Sequence, residues 1–391
     1  MKRESPHKLV ILSFTQGTLF WTASGTAMGF IPLLAVTLHL SAQEAGLFVA
    51  GAAIGRVAFQ PYTGLIITAD NAERYYLIGL GCAIVSSVIL VCGQHPGWLI
   101  TARLMEGVGL SLFVVSWRTL LNRMSQLHFF EAVNDSYVVS QNIGRTLGPA
   151  IGGIVVAGYG IQAAFLFSAL LYTLCFLLAH CHRSRYHSHS PTREPKTQRW
   201  RYLCGIFQRQ KVLFVIHHIE FFCLGLWLAG WPVYAVIANG ITTEQLGYSF
   251  SLAALGGLGL FVIKPWTSRL SVRHRLALAL ALLAIQPLAA MNLSQWSLQF
   301  GLLIAVGGLG GALYFTSFHR LLSDTVSVDN IPLTYGVLGS STFLSQAAGQ
   351  ASAPMLSQAF SAQAPIVLDA ALLSACLIMA LVVPIARHNI R

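Results

Sequence analysis

Arg103 and Glu106 stand three residues apart in an apolar stretch, and His217 and Glu220 repeat that spacing farther along. Residues three apart share a helix face. The first pair can form an ion pair that fixes packing. It can equally act as a coupling pair, in which Glu106 takes a proton and releases Arg103 for a solute or another acid. In the second pair a carboxylate and an imidazole can share one proton near neutral pH. The alternative is that both groups sit near a helix end and reach water. His218 faces another side. HHIE (217–220) is not a zinc signature, because H-E-x-x-H is absent.

Each ionisable group at the centre of a membrane helix costs at least about 2.5–3.5 kcal/mol, so such groups point to function. Arg56, in GAAIGRVAF, is set to pair with an acid or bind an anionic group. Arg118 follows Trp117 and can snorkel toward water. Asp369 comes four residues after Pro365 and reads as a first-turn partner of the helix dipole. Phe20, Trp21 and Trp227 are expected to line a cavity, with hydrogen bonds from Gln16, Thr22 and Tyr314. Trp231 and Tyr234 fit a lipid-facing belt as well.

These residues need helices to hold them, and the composition says which kind. Of 391 residues, 55% are hydrophobic and only 9% charged. Soluble domains carry about 25% charged residues, so the chain reads as an integral membrane protein, all-α. Twelve apolar spans fit: roughly 9–38, 45–67, 75–93, 97–120, 135–158, 162–181, 211–238, 245–265, 275–292, 297–320, 332–356 and 364–386. Strands are excluded, because open strand edges do not survive in lipid. MKRESPHK leads into the first span without a small-residue cleavage site, so no cleaved signal is expected. The cysteines are scattered, with no C-x-x-C, so neither disulfides nor a structural metal is expected.

The net charge of +11 is distributed by loop rather than gathered into a nucleic-acid surface. QE (43–44), GQHPG (93–97), GYGIQ (158–162), NGITTEQ (239–245), NLSQW (292–296) and SAQAP (361–365) hold no Lys or Arg. The alternate loops hold NAER, RTLLNR, SRLSVRHR and FHRLLSD. The positive-inside rule therefore puts both termini in the cytoplasm. A basic, Pro- and Ser-containing segment at 182–210 reads as a cytoplasmic linker between six-helix halves at 1–181 and 211–391. Histidines near it (His180, His182, His187, His189) fit a solvated linker better than a metal site.

The halves repeat. Pro61-Tyr62-Thr63 matches Pro265-Trp266-Thr267. EGVGLSLFVVSWRTLL (106–121) matches GGLGGALYFTSFHRLL (307–322), which pairs Arg118 with His319. GRTLGPAIGG (144–153) matches GQASAPMLSQ (349–358). The matches run in order at offsets of about 201–205 residues. Parallel repeats of this kind mark transporters, with the solute site near the midplane between them.

One segment holds residues an ordinary helix avoids: NIGRTLGPAIGG (142–153). Gly144, Gly148 and Gly152 recur every four residues and leave a smooth groove for close helix packing. Gly153 extends the small surface. Pro149 has no N–H, so the carbonyl of Arg145 loses its helical partner and the helix can bend. The second half keeps the proline but has Gln350 in place of Arg145. The segment is expected to be a bendable seam between the two bundles.

Three features resemble the major facilitator superfamily over nearly the whole chain. RLMEGVG (103–109) resembles its motif B, and GRTLGPAIGG resembles motif C, typical of its proton-coupled antiporters. IPLLAVTL and EAGLFVAGAAIGRVAFQPYTG are similar to its first two helices. Motif A departs: Thr68 stands where an Asp belongs after Gly64, with Asp70, Glu73 and Arg74 nearby. The resemblance implies two pseudo-symmetric six-helix bundles that rock around a cavity lined by helices 1, 4, 7 and 10, without covalent chemistry.

The reading that follows is a proton-coupled exporter of a small organic solute: a siderophore-like or other anionic or zwitterionic metabolite, or a drug. A proton symporter importing a nutrient is the alternative, and a non-transporting sensor a remote one. Nothing resembles a nucleophile elbow or a Walker loop, so neither an enzyme nor ATP drive is expected. The expected partners are the solute, protons and the lipid bilayer, with no nucleic acid, no cofactor and no metal. The chain is expected to work as a monomer in a bacterial inner (plasma) membrane.

Overall fold

The computed structural model describes residues 6–68, 70–124, 130–181, 208, 210–292, 295–323 and 331–383. The basic segment 182–210 lies almost wholly outside the described residues.

Every expected span is helical. The first forms α1 (Pro6–Met28) and α2 (Ile31–Thr37), broken at Gly29–Phe30. Pro32 lies in the first turn of α2 and lacks the N–H that would continue one helix through the break. Then come α3 (Ala42–Ile66), α4 (Ala72–Cys92), α5 (Pro96–Met124), α6 (Phe130–Tyr159) and α7 (Ile161–Cys181). Helix α8 (Lys211–Val233) carries Pro232 near its end and runs into a π-helical turn at Tyr234–Ala238. The eighth span divides at Gly259 into α9 (Thr243–Leu258) and α10 (Leu260–Thr267). The rest are α11 (Val272–Met291), α12 (Leu298–Ser323), α13 (Ile331–Ala359) and α14 (Ala364–Val382).

Nine stretches among the described residues are long and apolar enough to cross a membrane by length and composition. The other three expected spans are α3, α6 and α13. At 25, 30 and 29 residues they are long enough, but Gly, Ser, Gln and Arg dilute their apolar content.

The sequence repeat has a structural counterpart in capping. Ser41 and Glu44 form a capping box at the start of α3: the Ser41 N–H and hydroxyl donate to Glu44, and the Glu44 N–H donates back to Ser41 Oγ. Thr242 and Gln245 make the same exchange before α9.

The chain divides into two compact units. One comprises Met1–Leu40, Gly51–Arg193 and Thr242–Ser251; the other comprises Ser41–Ala50, Glu194–Ile241 and Leu252–Arg391. In the first unit α1 packs on α6 and α7, and α4 packs on α5 and α7. In the second, α8 packs on α13 and α14, and α11 packs on α12 and α14. The pairings correspond helix by helix. Glycines permit them in both places: Gly107 of α5 abuts the Ala52 carbonyl, as Gly308 of α12 abuts that of Ala253.

The first unit has an aromatic core. Phe20 stacks on Phe113 with ring centroids 3.4 Å apart, and Tyr76 lies between Phe113 and Trp117. The second is centred on Phe214, Tyr314, Phe318 and aliphatic residues of α11 and α14.

Candidate functional site

Each unit holds its own set of charged groups. In the first, Arg103 and Glu106 of α5 form the ion pair their spacing suggests. Arg103 is buried, and Gly51 of α3 lies against its Cβ. The small residue leaves the room that the arginine stem occupies.

Three further arginines of this unit come from three different helices. Arg56 of α3 lies within electrostatic reach of Arg145 of α6 and of Arg118 of α5, and all three act on Tyr137 of α6. The Arg145 guanidinium sits 4.6 Å above the Trp21 ring, a cation–π contact. Trp21 and Tyr137 are buried, whereas Arg118 and Arg145 are exposed. Tyr137 was missed by the sequence reading, though a signal existed: it lies about two helical turns before Arg145, on the same face.

The glycine segment supports this cluster. A Cβ on Gly144 would come within 2.6 Å of the Trp21 Cβ, and one on Gly148 within 2.7 Å of the Thr22 carbonyl. A Cβ on Gly152 would strike the Thr26 carbonyl. The seam was expected between the two bundles. Instead, these three glycines pack against α1, inside one unit. The face they present is the one that α1 needs, and a single helix's periodicity does not say which neighbour fills its groove. Gly153 faces a different element, the Thr243–Glu244 start of α9.

Two residues expected to line a cavity lie in the aromatic core instead. Phe20 is fully buried against Phe113, and Gln16 accepts a hydrogen bond from the Tyr76 hydroxyl at 3.3 Å. Thr22 is buried under the glycine seam.

In the second unit the acids are on α8 and α14. Glu220 is only 8% exposed, and its Oε2 has no hydrogen-bond partner among the described residues. Asp369 is 2% exposed, and its Oδ1 is likewise without a hydrogen-bond partner among the described residues. Asp369 is not the first-turn residue expected, because α14 begins at Ala364 and its first turn has no acid. Its side chain is enclosed in the bundle, with the Cys223 thiol facing its backbone carbonyl.

His217 and Glu220 share a helix but make no hydrogen bond to each other. The imidazole Nδ1 pairs with the Tyr314 hydroxyl at 3.2 Å, and the ring stacks on Phe318 with centroids 3.7 Å apart. Both partners come from α12, which the local spacing on α8 cannot reveal. Tyr314 is thereby a buried hydrogen-bonding residue, and Trp227 stacks on Trp231 at 5.0 Å. No group of three or more His, Cys, Asp or Glu among the described residues is placed to hold a metal.

The family model described as Major Facilitator Superfamily matches residues 12–291 and 231–390. Multidrug resistance protein 2 of Bacillus subtilis (strain 168) is 24% identical over 154 residues, covering 38% of this chain and 36% of that one. Multidrug resistance protein Stp of Mycobacterium tuberculosis is 28% identical over 186 residues, covering 42% and 34%. Quinolone resistance protein NorA of Staphylococcus aureus is 24% identical over 174 residues, covering 44% of each. The matches thus span less than half the length of these relatives. Over its fold the chain is similar to the crystal structure of the nucleoside transporter NupG, with a TM-score of 0.74, 14% identity, and coverage of 96% and 98%.

Proposed function

The chain belongs to the Major Facilitator Superfamily, and we propose that it exports a small organic solute in exchange for protons by alternating access. Membership makes it an integral membrane transporter, not an enzyme, built as two pseudo-symmetric six-helix bundles. The finer reading rests on Glu220. A carboxylate enclosed in a membrane helix with a buried, unpartnered oxygen is costly for a structural role and suited to taking and losing a proton. Asp369, a second acid buried in the same unit with an oxygen that has no hydrogen-bond partner among the described residues, strengthens the case.

Glu106, ion-paired to Arg103, is the second proton-carrying candidate, by exchange of its partner for a proton. The solute is a small metabolite, anionic or zwitterionic and siderophore-like, or a drug. The relatives named for multidrug and quinolone resistance favour export of organic molecules. The location is a bacterial inner membrane with both termini cytoplasmic, and the unit of function is a monomer.

The test is a panel of labelled solutes offered to proteoliposomes with an imposed pH gradient. Solute should accumulate against the proton flow, and Glu220→Gln should abolish gradient-driven accumulation while Glu106→Gln weakens it. Accumulation along the proton flow would make the protein a symporter. Full activity of Glu220→Gln would remove the residue from the coupling.

A further inference from the structure

We propose that α10 (Leu260–Thr267) and the arginine just beyond it bind an anionic phospholipid, with Lys264 and Arg269 on the phosphate and Phe261, Val262 and Trp266 on the lipid body. The inference needs only that the chain is an integral membrane protein, and is independent of the solute and the coupling ion.

This short helix has two sides. Leu260 packs on the core of the second unit, and Thr267 is buried with its hydroxyl donating to the Lys264 carbonyl at 3.3 Å. The other side is uncovered. Phe261 is 64% exposed, Val262 75% and Trp266 69%, with Pro265 exposed between them. Spacings of one, four and five residues put these four side chains on one helix face. An apolar face on a membrane-spanning bundle meets lipid. Tryptophan in such a face favours the headgroup level, where the ring is apolar and its N–H stays wet. From Phe261 to Trp266 the helix rises about 7.5 Å, which spans the boundary between acyl chains and headgroups.

The charge lies at the end where the tryptophan is. Lys264 and Arg269 are both exposed, and SRLSVRHR (268–275) holds no acid. Arg273 of that loop is already occupied: its Nε donates to the Ala380 carbonyl at 2.9 Å and a second nitrogen donates to that of Leu381. This contact ties the loop to the end of α14. An exposed lysine and arginine at the headgroup level match a phosphate diester, the first as a point charge and the second as a fork.

The cations are particular to the second unit. Both units turn an aromatic outward and a threonine inward after the proline, with Tyr62 and Trp266 exposed and Thr63 and Thr267 buried. The glycine contacts fix the register, Gly55 on the Leu104 carbonyl and Gly256 on that of Ala305. From there Pro61 comes six residues later and Pro265 nine. The longer interval contains the break at Gly259, whereas α3 runs unbroken from Ala42 to Ile66. Counted from the proline, Gln60 and Leu65 of the first unit stand where the second has Lys264 and Arg269. The aromatic anchor repeats and the cations do not, so the phosphate site belongs to α10 alone.

The experiment is native mass spectrometry of the purified full chain in neutral detergent, titrated with phosphatidylglycerol or with phosphatidylcholine of the same acyl chains. The native protein should hold phosphatidylglycerol at least about tenfold more tightly, at about fivefold for each cation. Lys264→Gln/Arg269→Gln should lose that preference with unchanged elution, and Lys264→Arg/Arg269→Lys, which keeps both charges, should retain it. In phosphatidylglycerol bilayers, the difference in fluorescence between the native chain and Trp266→Phe should be quenched more by bromines near the glycerol than by bromines near the chain ends. Equal binding of the two lipids by the native protein, or a preference that survives in Lys264→Gln/Arg269→Gln, would overturn the proposal. Strongest quenching of the Trp266 signal from the chain ends would do the same. So would displacement of phosphatidylglycerol by an equal concentration of inorganic phosphate, which would make this a site for free anions.

Discussion

Glu220 and Asp369 are the buried acids of the second unit, the first of them proposed to carry the proton, whereas His217 and Tyr314 are tied into its packing. His217 is bound to Tyr314 and stacked on Phe318, so its ring is held by α12 rather than by Glu220. Tyr314→Phe keeps the ring stack and removes the hydroxyl. It should lower stability by roughly 1–3 kcal/mol, the usual result of leaving a buried polar partner unpaired, and a thermal melt reads this directly. Asp369→Asn should leave folding intact and alter the pH dependence of transport, because it removes an ionisable group buried in the same bundle as Glu220. An unaltered pH profile would confine Asp369 to structure. In the first unit, removing one partner of the Arg103–Glu106 pair strands the other charge. Arg103→Met should therefore cost about 3–5 kcal/mol, much of it regained in Arg103→Met/Glu106→Gln. At this scale the sequence showed which residues were unusual and not what they touch. Arg103 and Glu106 were legible because their partnership is local. The partner of His217 lies 97 residues away, and Asp369 reads as a first-turn residue because its burial comes from the helices packed on α14, which local sequence does not show.

Among elements, α6 carries the clearest rule linking sequence to packing. Its glycines at four-residue spacing press against α1, and Pro149 is set in the same seam, close to Gly25. Gly148→Leu would drive a side chain into the Thr22 backbone carbonyl and the Gly25 Cα, neither of which has a flexible end to move aside. Overpacking of this kind costs typically 1–3 kcal/mol. The variant should insert in the membrane, melt lower and transport poorly; normal transport would contradict the seam. The glycine spacing and the proline were readable because helical period is a local property. The break at Gly29–Phe30, the π turn after Pro232 and the division at Gly259 were not. Each occurs inside an apolar run whose hydropathy continues across it. The Ser41–Glu44 and Thr242–Gln245 capping boxes, by contrast, carry a signature readable in sequence, S/T-x-x-E/Q.

For the whole molecule, duplication was visible as three short matches, and the structure extends it to helix pairings, glycine contacts and caps. Those features repeat because two bundles solve one packing problem twice. The charges do not repeat: the first unit holds Arg56, Arg103, Arg118 and Arg145, and the second holds the buried acids Glu220 and Asp369. In the proposed exchange, the buried acids of the second unit would carry the proton on a scaffold whose packing is otherwise symmetric. The most direct test uses proteoliposomes with a trapped pH dye, no imposed gradient, and the solute found to be carried in the gradient screen. Adding solute outside should draw protons out as it enters, so the lumen turns alkaline, and Glu220→Gln should give no such signal. A lumen that turns acidic, or an unchanged response in Glu220→Gln, would contradict proton-coupled export through Glu220.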